Sequence, residues 1–89
     1  MCEICRKVIL RKEFYSPRDY RNCLDYIGRL LDSGDFVLES GTCELDGVMR
    51  GQTWVSDTIS HVIRCNTCGQ AFTCSCNTYR GGGGFRAGR

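Results

Sequence analysis

His61-Val-Ile-Arg-Cys65-Asn-Thr-Cys68-Gly69-Gln-Ala-Phe-Thr-Cys74-Ser-Cys76 is the stretch that decides the fold of this 89-residue chain. It holds four of the eight cysteines, and its first pair has the C-x-x-C-G spacing that lets two thiolates converge on one metal ion. Gly69 suits the turn, because glycine adopts backbone geometries that other residues avoid. Residues with strand propensity flank the turn on both sides. We therefore predict two strands, Thr58 to Arg64 and Gln70 to Thr78, joined by a metal-binding turn.

The size of the chain indicates one domain that needs an additional source of stability. A domain this small buries only about 60% of the surface of its unfolded chain, and cysteine-rich small domains gain stability from disulfides or metals. The N-terminal residues contain no apolar core of a secretory signal, and no apolar run is long enough to span a membrane. We therefore expect a cytoplasmic protein, in which reduced thiols favour zinc over disulfides.

A helix is predicted from Pro17 to Asp32. Ser16 is a favourable N-cap, proline suits the first helical position, and Asp19 lies three residues after the cap. Gly34 suits the C-terminal end of the helix. Apolar residues recur at steps of three and four, which is typical of one buried helix face. They are Tyr20, Cys23, Leu24, Ile27, Leu30 and Leu31.

Two further strands complete the predicted fold. Val8 to Tyr15 mixes β-branched, aromatic and charged residues, which favours an edge strand. Asp35 to Ser40 is also predicted to be a strand, because Phe36 and Leu38 alternate with Val37 and Glu39. The predicted order is β-α-β-β-β, a single α+β domain over residues 1–79 in which one helix packs on an antiparallel sheet. Residues 80–89 are rich in glycine and arginine, and we expect them to form a flexible tail.

The turn Cys65–Gly69 also indicates a cofactor. Over the hairpin Val62 to Cys74 the sequence resembles a zinc ribbon, and a second C-x-x-C pair, Cys2 and Cys5, opens the chain. The resemblance implies a structural zinc ion held by four thiolates and closed to water. Its predicted ligands are Cys2, Cys5, Cys65 and Cys68.

Other roles for the cysteines stay open at the level of sequence. Cys43, Cys74 or Cys76 could replace Cys2 or Cys5 as ligands. Cys74 and Cys76 are two residues apart on a predicted strand, so their side chains lie on the same face. Without metal, the cysteines would act as small buried apolar residues, and Cys23 on the helix stripe is expected to do so. His61 is either a further ligand or a partly exposed strand residue.

The charges are unevenly distributed although the net charge is only +2. Between Arg6 and Arg29 there are seven basic and three acidic residues, whereas between Asp32 and Asp57 there are six acidic and one basic. The acidic span is either solvated surface or, together with nearby apolar residues, a patch that binds a protein with a basic surface, and the second interpretation is the one that predicts a function. The predicted partner-binding residues are Glu39, Glu44, Asp46, Met49, Trp54 and Asp57.

These features favour a binding protein over an enzyme. No catalytic set can be assembled, and Cys65 and Cys68 lie in a strand turn rather than at a helix N-terminus that would activate a redox dithiol. Size and charge layout resemble the small immunity proteins that accompany bacterial toxins. The resemblance implies an inhibitor whose acidic loop covers the basic cleft of a toxin such as a nuclease. The alternative is a zinc-ribbon nucleic-acid-binding protein that contacts phosphates through Arg6 to Arg21 and through the tail, which resembles arginine-glycine RNA-binding segments.

Overall fold

The long helix has the predicted bounds. The computed structural model describes residues 2–43, 47–50, 53–78 and 82–88, and in it the second helix, α2, is Pro17–Asp32. The Ser16 side chain accepts a hydrogen bond from the Asp19 backbone N–H at 3.3 Å, as an N-cap should. Tyr20 and Ile27 on the predicted apolar face are fully buried. The cap and the apolar period together were therefore sufficient to place this element.

Most of the strands form one antiparallel sheet. Its strands are β1 (Phe36–Gly41), β4 (Thr58–Cys65), β5 (Ala71–Asn77) and β6 (Gly83–Ala87), in the spatial order β1-β4-β5-β6. A separate two-stranded sheet pairs β2 (Met49–Arg50) with β3 (Thr53–Trp54). The α+β class is confirmed, with α2 on a four-stranded antiparallel sheet.

The core lies between α2 and one face of the large sheet. On β4 the side chains alternate, so that Ile59, His61, Ile63 and Cys65 are buried and those between them are half-buried. Cross-strand register continues this face, because Ile63 pairs with Phe72 and His61 pairs with Cys74. The opposite face carries small and polar residues such as Ser60, Thr73 and Ser75.

The first predicted strand is wrong. The chain begins with a one-turn helix, α1 (Glu3–Arg6), and Val8 to Tyr15 is an extended segment that forms a single bridge, between Arg11 and Phe85. The two residues exchange backbone hydrogen bonds of 2.9 and 2.8 Å, and the Phe14 N–H donates to the Gly83 carbonyl at 2.9 Å. The segment therefore covers the outer edge of β6 without forming a regular ladder.

The predicted flexible tail is also wrong over Gly83–Ala87, which is strand β6. Phe85 explains the difference, because it is 1% exposed and packs against Phe72 and Tyr26 at ring-centroid distances of 6.0 and 6.5 Å. Gly83 lies so close to β5 that a Cβ there would be 2.7 Å from the Cα of Cys76. Glycine therefore permits this strand to pair, whereas composition alone suggested mobility. Residues 79–81 and 89 lie outside the described part.

Candidate metal centre

Four thiols meet at one end of the sheet. The Sγ atoms of the four predicted ligands all lie within 4.8 Å of one another. The shortest separations are 3.7 Å between Cys2 and Cys5, 3.8 Å between Cys2 and Cys65, and 3.4 Å between Cys5 and Cys68. A tetrahedron with metal–sulfur bonds of about 2.3 Å has edges of about 3.8 Å. The group is therefore the right size to hold a metal ion, and the predicted quartet is the one that the fold brings together.

Two short local structures present these thiols. Cys2 is the N-cap of α1 and Cys5 lies within that helix, so one helical turn directs both side chains to the same place. In the turn between β4 and β5, the Gly69 N–H donates to the Cys65 carbonyl at 3.0 Å, and Gly69 has a φ of 78°. The Thr67 N–H donates to the Cys65 Sγ at 3.3 Å. Backbone donors to sulfur stabilise a thiolate in such a turn.

Neighbouring segments fix the position of the turn. Asn66 is hydrogen-bonded to the segment that follows α2. Its backbone N–H donates to the Asp35 carbonyl and its side-chain amide donates to the Gly34 carbonyl, each at 2.8 Å. The Arg64 guanidinium donates to the Gly69 carbonyl at 2.9 Å and also pairs with the Glu39 carboxylate. Sequence reasoning did not identify these supporting residues, since no local pattern links them to the turn.

The electrostatics of the quartet favour thiolates at the turn. Hydrogen bonds from the backbone N–H groups of Cys2 and Gln70, together with the Cys5 thiol, lower the pKa of Cys68 to about 6. Burial raises the pKa of Cys65, but hydrogen bonds from Cys68 and Thr67 outweigh it and lower the pKa overall. Burial and the neighbouring thiols raise the pKa of Cys5. The negative charge of a metal-free site is therefore concentrated at the turn.

The remaining cysteines lie elsewhere. All eight cysteines are described, and none forms a disulfide. Cys23 and Cys74 are buried in the core with their thiols in hydrogen-bond contact, Cys76 is buried nearby, and Cys43 is half-buried. None of these four belongs to the metal-sized group, so the alternative ligand sets that included Cys43, Cys74 or Cys76 are wrong. The expected core role of Cys23 is confirmed.

His61 is neither a ligand in this group nor partly exposed. It is 1% exposed, and its Nε2 lies 2.8 Å from the Cys43 carbonyl oxygen. Its Nδ1 is buried without a hydrogen-bond partner among the described residues. Gly41 leaves room for the ring, because a Cβ there would lie 2.5 Å from the His61 Cδ2. The histidine therefore ties the segment after β1 to the core.

The structure describes the side chains of three of the six predicted partner-binding residues. Glu39 is exposed on β1 and pairs with Arg64, and Asp57 is exposed before β4. Trp54 is half-buried and packs on Tyr20 at a ring-centroid distance of 5.7 Å, so it contributes to the core side. Glu44, Asp46 and the side chain of Met49 lie outside the described residues.

Comparison of the chain with protein-family models, with curated proteins and with solved structures found no match. In the described part of the chain, no helix combines the length and the apolar character needed to cross a membrane.

Proposed function

We propose that this protein is a non-enzymatic protein-binding module that folds around a structural zinc ion. The convergence of four cysteine sulfurs at tetrahedral spacing supports the zinc assignment. Four thiolates fill the coordination sphere of zinc and leave no position for water or substrate, so the ion stabilises the fold and does not catalyse a reaction.

The zinc ion joins two parts of the chain that are distant in sequence. It links α1 to the turn between β4 and β5, and so fixes the start of the segment that runs along the edge of β6. A domain of this size gains much of its stability from such a link.

The outer strand β1 is the surface that best fits a protein partner. Among the described strands it is an outer strand of the sheet, and outer strands are where a strand from another protein can be added. Val37 and Leu38 on this strand are 46% and 41% exposed. The acidic residues close to them in sequence are Asp32, Asp35 and Glu39, and Arg64 pairs with the last of these. An edge with apolar and acidic side chains fits a partner that supplies an extended segment flanked by basic residues.

A bacterial toxin with a basic, nucleic-acid-cleaving cleft would supply the basic residues of such a partner. Such a cleft is cationic because its substrate is anionic, and the acidic span that starts at Asp32 and reaches Asp57 supplies the complementary charge. In this proposal the protein is an immunity protein, and it neutralises the toxin by covering that surface.

The proposal is tested by partner capture followed by a charge-reversal variant. The immobilised protein is incubated with nuclease-treated extract of its native cells, and the retained basic protein is purified and titrated. We expect Val37→Lys to weaken binding at least about tenfold, because it adds a like charge at the contact. The matched control is Ile9→Lys, which places the same charge at another exposed apolar residue, 65% exposed and outside β1.

Two results would overturn the proposal. One is equal affinity of the wild type and Val37→Lys for the captured protein. The other is a captured protein that is not toxic when expressed alone, or whose toxicity is unchanged when this chain is co-expressed with it.

A further inference from the structure

The two basic segments of the chain meet at the edge of the sheet opposite to β1. The bridge between Arg11 and Phe85 brings Lys12 close to Arg86. Together these segments line an open depression of about 620 Å³. Its lining residues are Leu10, Arg11, Lys12, Glu13, Ser75, Gly83, Gly84, Phe85 and Arg86.

The depression has a positive balance of charge. Two exposed cations line it, Lys12 and Arg86, against one acid, Glu13. Arg11 also lines the depression, but its side chain lies on the α2 side of the sheet with that of its bridge partner Phe85, and it pairs with Asp19 at 3.7 Å. A pair of exposed cations attracts a ligand that carries several negative charges.

The floor of the depression depends on glycine. A Cβ at Gly84 would lie 2.8 Å from the backbone oxygens of both Arg11 and Lys12, so only glycine lets the two segments come this close. Gly84 also pairs with Ser75 on the open face of the sheet, beside the pair formed by Thr73 and Arg86. The tight backbone contact thus holds the cations of both segments at one place.

The shape and chemistry of the depression indicate a polyanion. Its volume is many times that of one phosphate, and it is open to solvent along its length, so it is not built around a small ligand. The only aromatic residue of the lining, Phe85, is 1% exposed and cannot stack on a base. Guanidinium and ammonium groups without a stacking platform fit phosphates of a nucleic-acid backbone.

We propose that Lys12 and Arg86 bind the phosphodiester backbone of a nucleic acid without reading its base sequence. This inference goes beyond the proposed function, because the site lies at the β6 edge and the protein-binding strand at the β1 edge. Three strand spacings of about 4.8 Å separate the two edges, about 14 Å in all, so both can be occupied together.

The test is fluorescence anisotropy of the zinc-loaded full chain with labelled duplexes of about 20 base pairs, in two unrelated DNA sequences and one RNA sequence. At about 50 mM salt, we expect similar affinity for the two DNA sequences. Because each neutralised phosphate contributes about −0.9, two contacts predict a slope of about −1.8 in log K against log salt. The RNA duplex shows which nucleic acid is preferred.

The decisive variant is Lys12→Gln with Arg86→Gln, which keeps the length of both side chains. It is expected to lose at least about tenfold in affinity at low salt and to reduce the slope by about 1.8. The matched control, Arg21→Gln with Arg29→Gln, removes the same charge from exposed positions of α2 and should keep the wild-type slope. Arg86→Lys keeps the charge and should keep most of the binding, while an unchanged zinc content verifies the fold.

Several outcomes would overturn the inference. The first is that the wild type does not bind the duplexes at low salt. The second is that the Lys12/Arg86 variant binds as tightly as the wild type. The third is that the Arg21/Arg29 control loses as much affinity as the Lys12/Arg86 variant, which would mean that the net charge of the protein alone determines binding. Displacement of the duplex by polyglutamate at equal charge concentration would show an acidic polypeptide to be an equally good ligand. None of these results bears on the β1 surface, which Val37→Lys tests separately.

Discussion

Removing the metal is the perturbation with the largest predicted effect. The proposed ligands come from α1 and from the turn between β4 and β5, so loss of the ion would remove a link between two parts of the chain that are distant in sequence. We therefore expect both chelation and Cys5→Ser to destabilise the whole domain.

The magnitude follows from the size of the chain. At about 0.05–0.15 kcal/mol per residue, 89 residues give a total free energy of unfolding of about 4–13 kcal/mol. A structural zinc contributes about 10 kcal/mol in apparent terms. Loss of even about 3 kcal/mol lowers the melting temperature of a domain this size by about 12–24 °C. Metal-free protein should therefore be largely unfolded at about 37 °C.

The assay combines elemental analysis with thermal melting by circular dichroism, before and after chelation. We expect one zinc per chain in the wild type and in the matched control Cys43→Ser, whose thiol lies outside the quartet. Cys5→Ser should bind zinc weakly and melt at a much lower temperature. The reasoning is refuted by less than about half an equivalent of zinc in the wild type, by a melting temperature unaffected by chelation, or by equal zinc loss in both variants.

Three further predictions concern the core and the β6 edge. Tyr20→Phe should raise the free energy of unfolding by about 1 kcal/mol, because the Tyr20 hydroxyl is buried without a partner among the described residues. Tyr26→Phe should lower it by about 1 kcal/mol, because that hydroxyl accepts a 2.9 Å hydrogen bond from the Ile9 N–H; equal urea midpoints for the two variants would contradict both expectations. Burial raises the pKa of Cys76 and of Tyr20, so the unfolded chain loses these protons at a lower pH than the folded chain. The contribution of Cys76 and Tyr20 to stability should therefore be complete below about pH 9 and be lost above it, so the melting temperature should fall between pH values of about 8 and 10; a flat profile over that range would contradict this. Gly84→Ala should destabilise the fold by about 1–3 kcal/mol, since its Cβ would meet two backbone oxygens at 2.8 Å; an unchanged melting temperature would show that the edge segment is not held there.

The choice of variants for testing phosphate binding depends on strand β6, which the glycine-rich composition of the C-terminal residues does not predict. Residues 80–89 are glycine-rich, so deletion of this segment would be the obvious test of phosphate binding. In the structure, Gly83–Ala87 is strand β6 and its Phe85 is 1% exposed. Deletion would remove a core aromatic residue and would unfold the domain whatever its ligand. Single side-chain changes at Lys12 and Arg86 avoid this problem.

Local signals in the sequence determined the parts of this protein whose interactions are close in the chain. The N-cap Ser16 and the apolar period placed α2 within its observed bounds, and the alternation around the turn Cys65–Gly69 placed β4 and β5 within a residue. The choice of metal ligands also succeeded, because C-x-x-C pairs already bring two thiols together and four such thiols fill a tetrahedron.

Only the tertiary structure decided the parts that depend on distant contacts. Val8 to Tyr15 has strand propensity but forms only one bridge to β6, between Arg11 and Phe85, and one further backbone hydrogen bond, from Phe14 to Gly83. Gly83–Ala87 lacks strand propensity but forms a strand, because Phe85 is buried against Phe72 of the neighbouring strand. Burial and pairing across the sheet outweigh local preference there, and those same contacts bring Lys12 and Arg86 together.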